Sequence, residues 1–229
     1  MPDIKIQELD PTNESIMTQI RAIYENSFRI EERVPWELMA YDFTRKRRKG
    51  DETFHLIGIL QGNRVIGFST SVFYWDFTYG GYIAIEKTQR HQGLGSHLVM
   101  KIKDLAIQDA QNNDCDLLVL FEVEKPVLAR NKKEKEEIAR RLQFYKKFNV
   151  IYLDVEYIEP PLLGKELPMY LAMITSGRDY IESERLINCV KLIYKYEYYL
   201  PARKREKYLK ILRDSINARE KVYRISVIS

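Results

Sequence analysis

The 229-residue chain has no apolar run long enough to cross a bilayer, which excludes membrane-spanning helices. Its first residues, Met1-Pro2-Asp3-Ile4-Lys5-Ile6, lack the apolar segment of a secretory signal. Cysteine is nearly missing. Cys115 and Cys189 form no disulfide or thiolate-metal spacing, and a reducing, cytoplasmic setting is expected. Cys115, just ahead of a strongly apolar run, is expected to be a small core residue. No cluster of His, Cys, Asp and Glu has metal-ligand spacing, and no Ser-His-Asp or Cys-His arrangement stands out, so no metal is expected. A large charge of one sign is also lacking, since a net +4 does not by itself imply a nucleic-acid binder. Internal repeats and low-complexity stretches are absent.

What is present is enough for a core: 45% hydrophobic residues and 31% charged ones fit a folded domain with an extension. The charge is uneven. Residues 176–229 carry thirteen Lys/Arg against seven Asp/Glu and seven of the sixteen tyrosines, leaving the rest of the chain near neutrality at −2. The helices of this basic tail are expected to pack on the domain or to form a homodimer with a second copy, in preference to binding nucleic acid.

Periodicity gives the element order. Ile4 to Leu9 alternates as a strand does, and Asp10-Pro11-Thr12-Asn13 can cap a helix bearing Ile16, Ile20, Ile23, Tyr24 and Ser27 on one face. A second helix from Pro35 to about Arg47 ends in the basic run 45–49, which complements the helix dipole or docks an anion. Thr53–Leu60 and Arg64–Tyr74 read as a hairpin through Gln61-Gly62-Asn63. In a third strand, Phe77–Glu86, the pair Gly80-Gly81 predicts a bulge or a close backbone approach. A helix follows to about Asn112, with Leu94, Leu98, Ile102, Leu105 and Ala106 facing the core. Leu117–Val123 reads as a strand buried on both faces. The polar stretch Lys125–Glu137 merges into a helix with the stripe Ile138, Leu142, Tyr145 and Phe148, stopped by Asn149 in a left-handed conformation. Val150–Ile158 and Met169–Thr175 are the last strands, and the tail reads as two helices broken before Pro201. The order β-α-α-β-β-β-α-β-α-β-β predicts an α/β fold with a mixed sheet over residues 1–175 and a helical extension over 176–229.

The chemistry points to Arg90-His91-Gln92-Gly93-Leu94-Gly95-Ser96-His97, between a strand and a helix. First-turn N–H groups have no partner inside a helix, and with the helix dipole they cradle phosphate oxygens. Two glycines let a ligand approach the backbone, while Arg90 adds charge, Ser96 a hydroxyl and His91 a ring donor. His97 is expected on the helix surface, and His55 in a structural role. The spacing Arg-x-x-Gly-x-Gly is neither the dinucleotide-binding nor the P-loop fingerprint.

The segment resembles the pyrophosphate loop of the GNAT acetyltransferase superfamily, Gln/Arg-x-x-Gly-x-Gly/Ala, and the element order over residues 1–175 is similar to that fold. The resemblance implies acetyl-CoA as cosubstrate, its diphosphate on Arg90, His91, Gln92, Gly93, Leu94, Gly95 and Ser96. It also implies a mostly antiparallel sheet with a splayed parallel pair, Tyr82–Ile85 and Leu117–Val123. The pantetheine arm would lie along Ile83, Ala84 and Ile85.

Arg141-Leu142-Gln143-Phe144-Tyr145-Lys146-Lys147-Phe148 is similar to the superfamily's Phe/Leu-Tyr-x-x-x-Gly-Phe segment. This implies that Tyr145 binds the coenzyme sulfur and acts as general acid, a role suited to a phenol near pKa 10. Phe148-Asn149-Val150 departs from the usual Gly-Phe, and Asn keeps the turn possible. One superfamily base position falls near Tyr79, which is not an acid. Another matches Glu122, with Glu124 on the same side of the strand to draw in a cationic amine. Glu31 and Glu32 fall where the superfamily shapes its acceptor site. The expected activity is direct transfer of acetyl to a primary amine in a ternary complex. The alternative is a CoA-binding regulatory or scaffold module without catalysis, acting through the basic tail.

Overall fold

The computed structural model describes residues 4–30, 33–48, 54–161 and 165–225. Glu31 and Glu32 lie outside them. Of the basic run 45–49, only Arg45 has a described side chain, and it reaches Asp42 at 4.0 Å. Among the described residues, no helix is long and apolar enough to cross a membrane.

The fold is mixed α/β, and its described residues divide into two compact units, one up to residue 115 and one from residue 116 on. The first unit contains β1 (Ile4–Glu8), α1 (Glu14–Ser27), α2 (Trp36–Arg48), β2 (Phe54–Gln61), β3 (Arg64–Tyr74), β4 (Phe77–Ile85) and α3 (Leu94–Asn112). Its four strands form an antiparallel meander in the order β1-β2-β3-β4. Asn13 caps α1 as its sequence suggested, its side chain accepting the Ile16 N–H at 3.2 Å. The apolar face of α3 buries Leu94, Leu98, Ile102, Leu105 and Ala106, the expected stripe, together with Val99 and Ala110.

His55 is structural. It is 7% exposed on β2, with Nδ1 2.8 Å from Glu8 on β1 and Nε2 3.0 Å from Asp109 on α3. Desolvation lowers its pKa, but the hydrogen bonds and charges of Asp109 and Glu8 outweigh that, and the net shift is upward from 6.5. A raised folded-state value means that the stabilisation is full below about 6.5 and is lost as pH rises through the folded value. Resistance to urea is therefore expected to fall as pH rises above about 6.5, and His55→Gln to flatten that fall; unfolding midpoints against pH check this.

The second unit contains β5 (Leu118–Glu124), α4 (Lys132–Lys146), β6 (Ile151–Tyr152), β7 (Tyr157–Glu159), β8 (Leu167–Thr175), β9 (Tyr180–Glu182), α5 (Ser183–Tyr196), α6 (Ala202–Ile216) and β10 (Lys221–Tyr223). β8 pairs antiparallel with β5, β6 and β7. Asn149 ends the α4 region at φ 54°, the left-handed stop that its type suggested. Cys115, expected in the core, is only partly covered, whereas Cys189 is buried.

The expected strand Val150–Ile158 is split into β6 and β7, and the tail is the reason. Leu153 bridges to Arg224, the Asp154 N–H donates to Tyr223 O at 3.0 Å, and Arg219 holds both the Asp154 carboxylate (2.7 Å) and its carbonyl (2.8 Å). The tail forms the two expected helices, α5 and α6, and adds the antiparallel pair β9–β10, which periodicity did not indicate.

Candidate active site

In β4, a local irregularity aims the strand that leads into the loop. Ser69 faces Ile83 but Ser71 faces Gly80, so Gly81 and Tyr82 together oppose the single residue Thr70. A Cβ on Gly81 would stand 2.6 Å from Thr70 Oγ1; that hydroxyl instead accepts the Tyr82 N–H at 3.0 Å. The paired glycines thus mark both a bulge and a close approach. Tyr82 is held by its ring, which meets Tyr24 edge-on at 4.9 Å, and by its hydroxyl, which accepts from Tyr24 and from the Val34 N–H, both at 3.3 Å. Burial pushes the Tyr24 phenol up to about 12. Ile83, Ala84 and Ile85 then run opposite Ser69, Phe68 and Gly67 of β3.

After β4 the chain makes a short turn, Lys87–Gln89, and enters the loop. His91 and Gly93 are both left-handed, at φ 66° and 79°. Gly93 precedes α3 with no side-chain cap, and the Ser96 N–H turns back to Gly93 O at 2.9 Å. The helix therefore starts without the Ser/Thr/Asp/Asn oxygen that ordinarily occupies its leading amides. His91, Gln92 and Gly93 are exposed and Gly95 and Ser96 half-buried, whereas the Leu94 side chain turns into the core and offers only its backbone. Arg90 does more than supply charge: its Nε donates to Ile85 O at 3.1 Å and its Nη2 to Ser27 Oγ at 3.4 Å, tying the loop to β4 and α1. His97 is exposed, as expected.

The second locus lies on β5 and α4. Phe121 and Glu122 are successive strand residues, so their side chains leave opposite faces. Tyr145 sets its ring 5.1 Å from that of Phe121. Burial raises its phenol above the ordinary value, and Arg141 opposes part of that rise. Glu122 accepts from Tyr157 on one oxygen and from Tyr198 on the other, the latter at 2.7 Å. The acid and base candidates therefore stand on opposite faces of one strand.

Glu122 and Glu124 share a side of β5 but not a role. Glu124, 8% exposed, is engaged by Arg141 of α4, so the two carboxylates are not presented as a bare pair to an incoming cation. Tyr79, in the register of the alternative base position, is buried opposite Val72. No group of three His, Cys, Asp or Glu side chains among the described residues is placed to hold a metal.

The acetyltransferase (GNAT) family model matches residues 17–130, a span that takes in the uncapped loop and Glu122. The span 17–130 belongs to the GNAT acetyltransferase family. The GNAT match stops before Tyr145 and before the tail. No curated protein sequence matches the chain. Among solved structures, a protein named for the GNAT family from Bacteroides thetaiotaomicron has 20% identity and a TM-score of 0.66, covering 86% of this chain and 99% of its own. The yncA protein of Salmonella typhimurium, solved with acetyl-CoA, has 11% identity and a TM-score of 0.52, covering 77% and 95%. The ribosomal-protein-S18-alanine N-acetyltransferase of Escherichia coli has 16% identity and a TM-score of 0.52, covering 76% and 97%. At these identities the likeness is one of fold.

Three tyrosines near the GNAT candidates went unread in the sequence. Tyr157 and Tyr198 bind Glu122 from 35 and 76 residues away. Tyr152, 6% exposed, has a hydroxyl with no hydrogen-bond partner among the described residues, and its phenol is pushed up by burial and then by Tyr145 and Tyr170. Richness in tyrosine was the only sequence signal, and it did not say which ones converge.

Proposed function

We propose that this GNAT protein transfers an acetyl group from acetyl-CoA to a primary amine by direct attack in a ternary complex. The uncapped, doubly left-handed entry to α3 carries this reading. Its chemistry fits a diphosphate: first-turn amides with no side-chain cap, a positive helix end, the Ser96 hydroxyl and an arginine fixed beside them. Arg90, His91, Gln92, Gly93, Leu94, Gly95 and Ser96 would hold the diphosphate, and the backbone of Ile83, Ala84 and Ile85 the pantetheine amides. When bound, acetyl-CoA supplies the activated acyl group.

The chain's own groups move the protons. Glu122, directly or through a water, accepts a proton from the amine as its nitrogen bonds the acyl carbon. Tyr145, its phenol kept protonated by burial, delivers a proton to the sulfur as the C–S bond breaks. The products are an amide and free coenzyme A.

One observation favours a second reading, a CoA-binding module without catalysis: both Glu122 oxygens already accept phenol protons. Thiol release from acetyl-CoA, followed with and without spermidine, kanamycin or a peptide bearing a free N-terminus, separates the two. Amine-dependent release is expected. Tight coenzyme A binding with no release beyond the amine-free rate would favour the module.

A further inference from the structure

We infer that Tyr198, a residue of the C-terminal extension, is a positioning residue for Glu122, so that the tail completes the reaction machinery of β5. The inference rests on the reading of Glu122 as the proton acceptor.

The geometry is two-sided. Tyr157, from β7, donates to Glu122 Oε1, and Tyr198, from the turn between α5 and α6, donates to Oε2. One phenol on each oxygen fixes the plane of the carboxylate. The donors are buried, at 1% and 6% exposure, while Glu122 itself is half-buried. An anchor serving only the interior would be sealed with its donors. Here the donors are buried and the acceptor is less so.

The Tyr198 ring is itself held. Tyr194, fully buried, stacks on Tyr157 at 5.6 Å and meets Tyr198 edge-on at 6.2 Å, and its hydroxyl donates to Ile158 O at 2.8 Å. The turn is fixed by the Leu200 N–H to Tyr194 O at 3.0 Å and by Tyr199 at φ 52°, a conformation that bulky residues adopt only where the surroundings enforce it. Tyr198 is thus delivered to Glu122 by a rigid block that begins at Tyr157, 35 residues beyond Glu122, and ends in the extension.

The test uses the full-length chain and four variants: Tyr198→Phe, Tyr157→Phe, Glu122→Gln, and the Tyr198→Phe/Glu122→Gln double. Each keeps the side-chain framework. Steady-state thiol release gives kcat and KM for acetyl-CoA with the amine that the wild type uses, and thermal midpoints are recorded alongside. Tyr198→Phe and Tyr157→Phe are each expected to lower kcat about tenfold, with KM for acetyl-CoA unchanged. The double variant is expected to be no slower than Glu122→Gln alone, because the phenol acts only through that carboxylate. An active wild type with kcat unchanged in Tyr198→Phe, even if the thermal midpoint drops, overturns the inference and leaves the proposed function standing. Full activity in Glu122→Gln overturns it as well. A wild type that releases no thiol with any of the three amines removes the proposed function and this inference with it.

Discussion

Gly93→Val is expected to abolish useful coenzyme A binding while leaving the protein folded. Gly93 sits at φ 79°, and a Cβ there would meet nothing within 4 Å, so the penalty comes from the backbone and not from a clash. A β-branched residue in this conformation costs on the order of 1–3 kcal/mol, and the chain relieves it by turning φ negative. That rotation redirects the amides at the start of α3, the groups on which the diphosphate is proposed to rest. The expected loss in affinity is at least about 100-fold, roughly 2.8 kcal/mol. Gly62 provides the control. It lies in the hairpin between β2 and β3 at φ 61°, also with open space around its Cα. Gly62→Val carries the same kind of strain, so its thermal midpoint should fall comparably while its affinity for coenzyme A stays at the wild-type value. Equal binding by Gly93→Val and wild type would disconnect the loop from the ligand.

Tyr145→Phe is the second large effect. Removing only the hydroxyl keeps the ring contacts with Phe121 and Phe144, at 5.1 and 5.3 Å, so fold and coenzyme affinity should persist. The departing sulfur then has to leave as thiolate or take its proton from water. A general acid is worth about 10²–10⁴ in rate, and a fall in kcat of at least about 100-fold is expected with KM for acetyl-CoA within about twofold. Because burial raises the phenol above its usual range, it stays protonated through neutral and mildly alkaline pH. The wild-type kcat profile should therefore show no falling limb from this group below about pH 10. Unchanged kcat in the phenylalanine variant would remove Tyr145 from the mechanism.

How far these sites could be read from the chain depended on how local their determinants are. Gly80-Gly81 announced the bulge of β4, and Asn149 the left-handed stop after α4, because each effect acts within a few residues of its cause. The start of α3 was legible for the same reason: Gly-x-Gly after a strand, with no capping side chain, is a local pattern. The left-handed turn at His91 was not, since a histidine there carries no such signal. Long-range partners were silent in the sequence. Glu124 looked like half of a carboxylate pair until Arg141, seventeen residues on, proved to engage it. Val150–Ile158 read as one strand, but Arg219 and Tyr223 pull Asp154 out of line. The hydroxyls on Glu122 come from β7 and from beyond α5, a convergence that only packing creates.

Calorimetric titration of coenzyme A into the full-length protein, with pantetheine titrated in parallel, tests the central claim most directly. If the amides at the head of α3 grip the diphosphate, coenzyme A gives saturable heat at one site and pantetheine, which lacks the diphosphate, binds at least about 100-fold more weakly. Folded protein that gives no heat with coenzyme A, or that binds pantetheine as tightly, would contradict it.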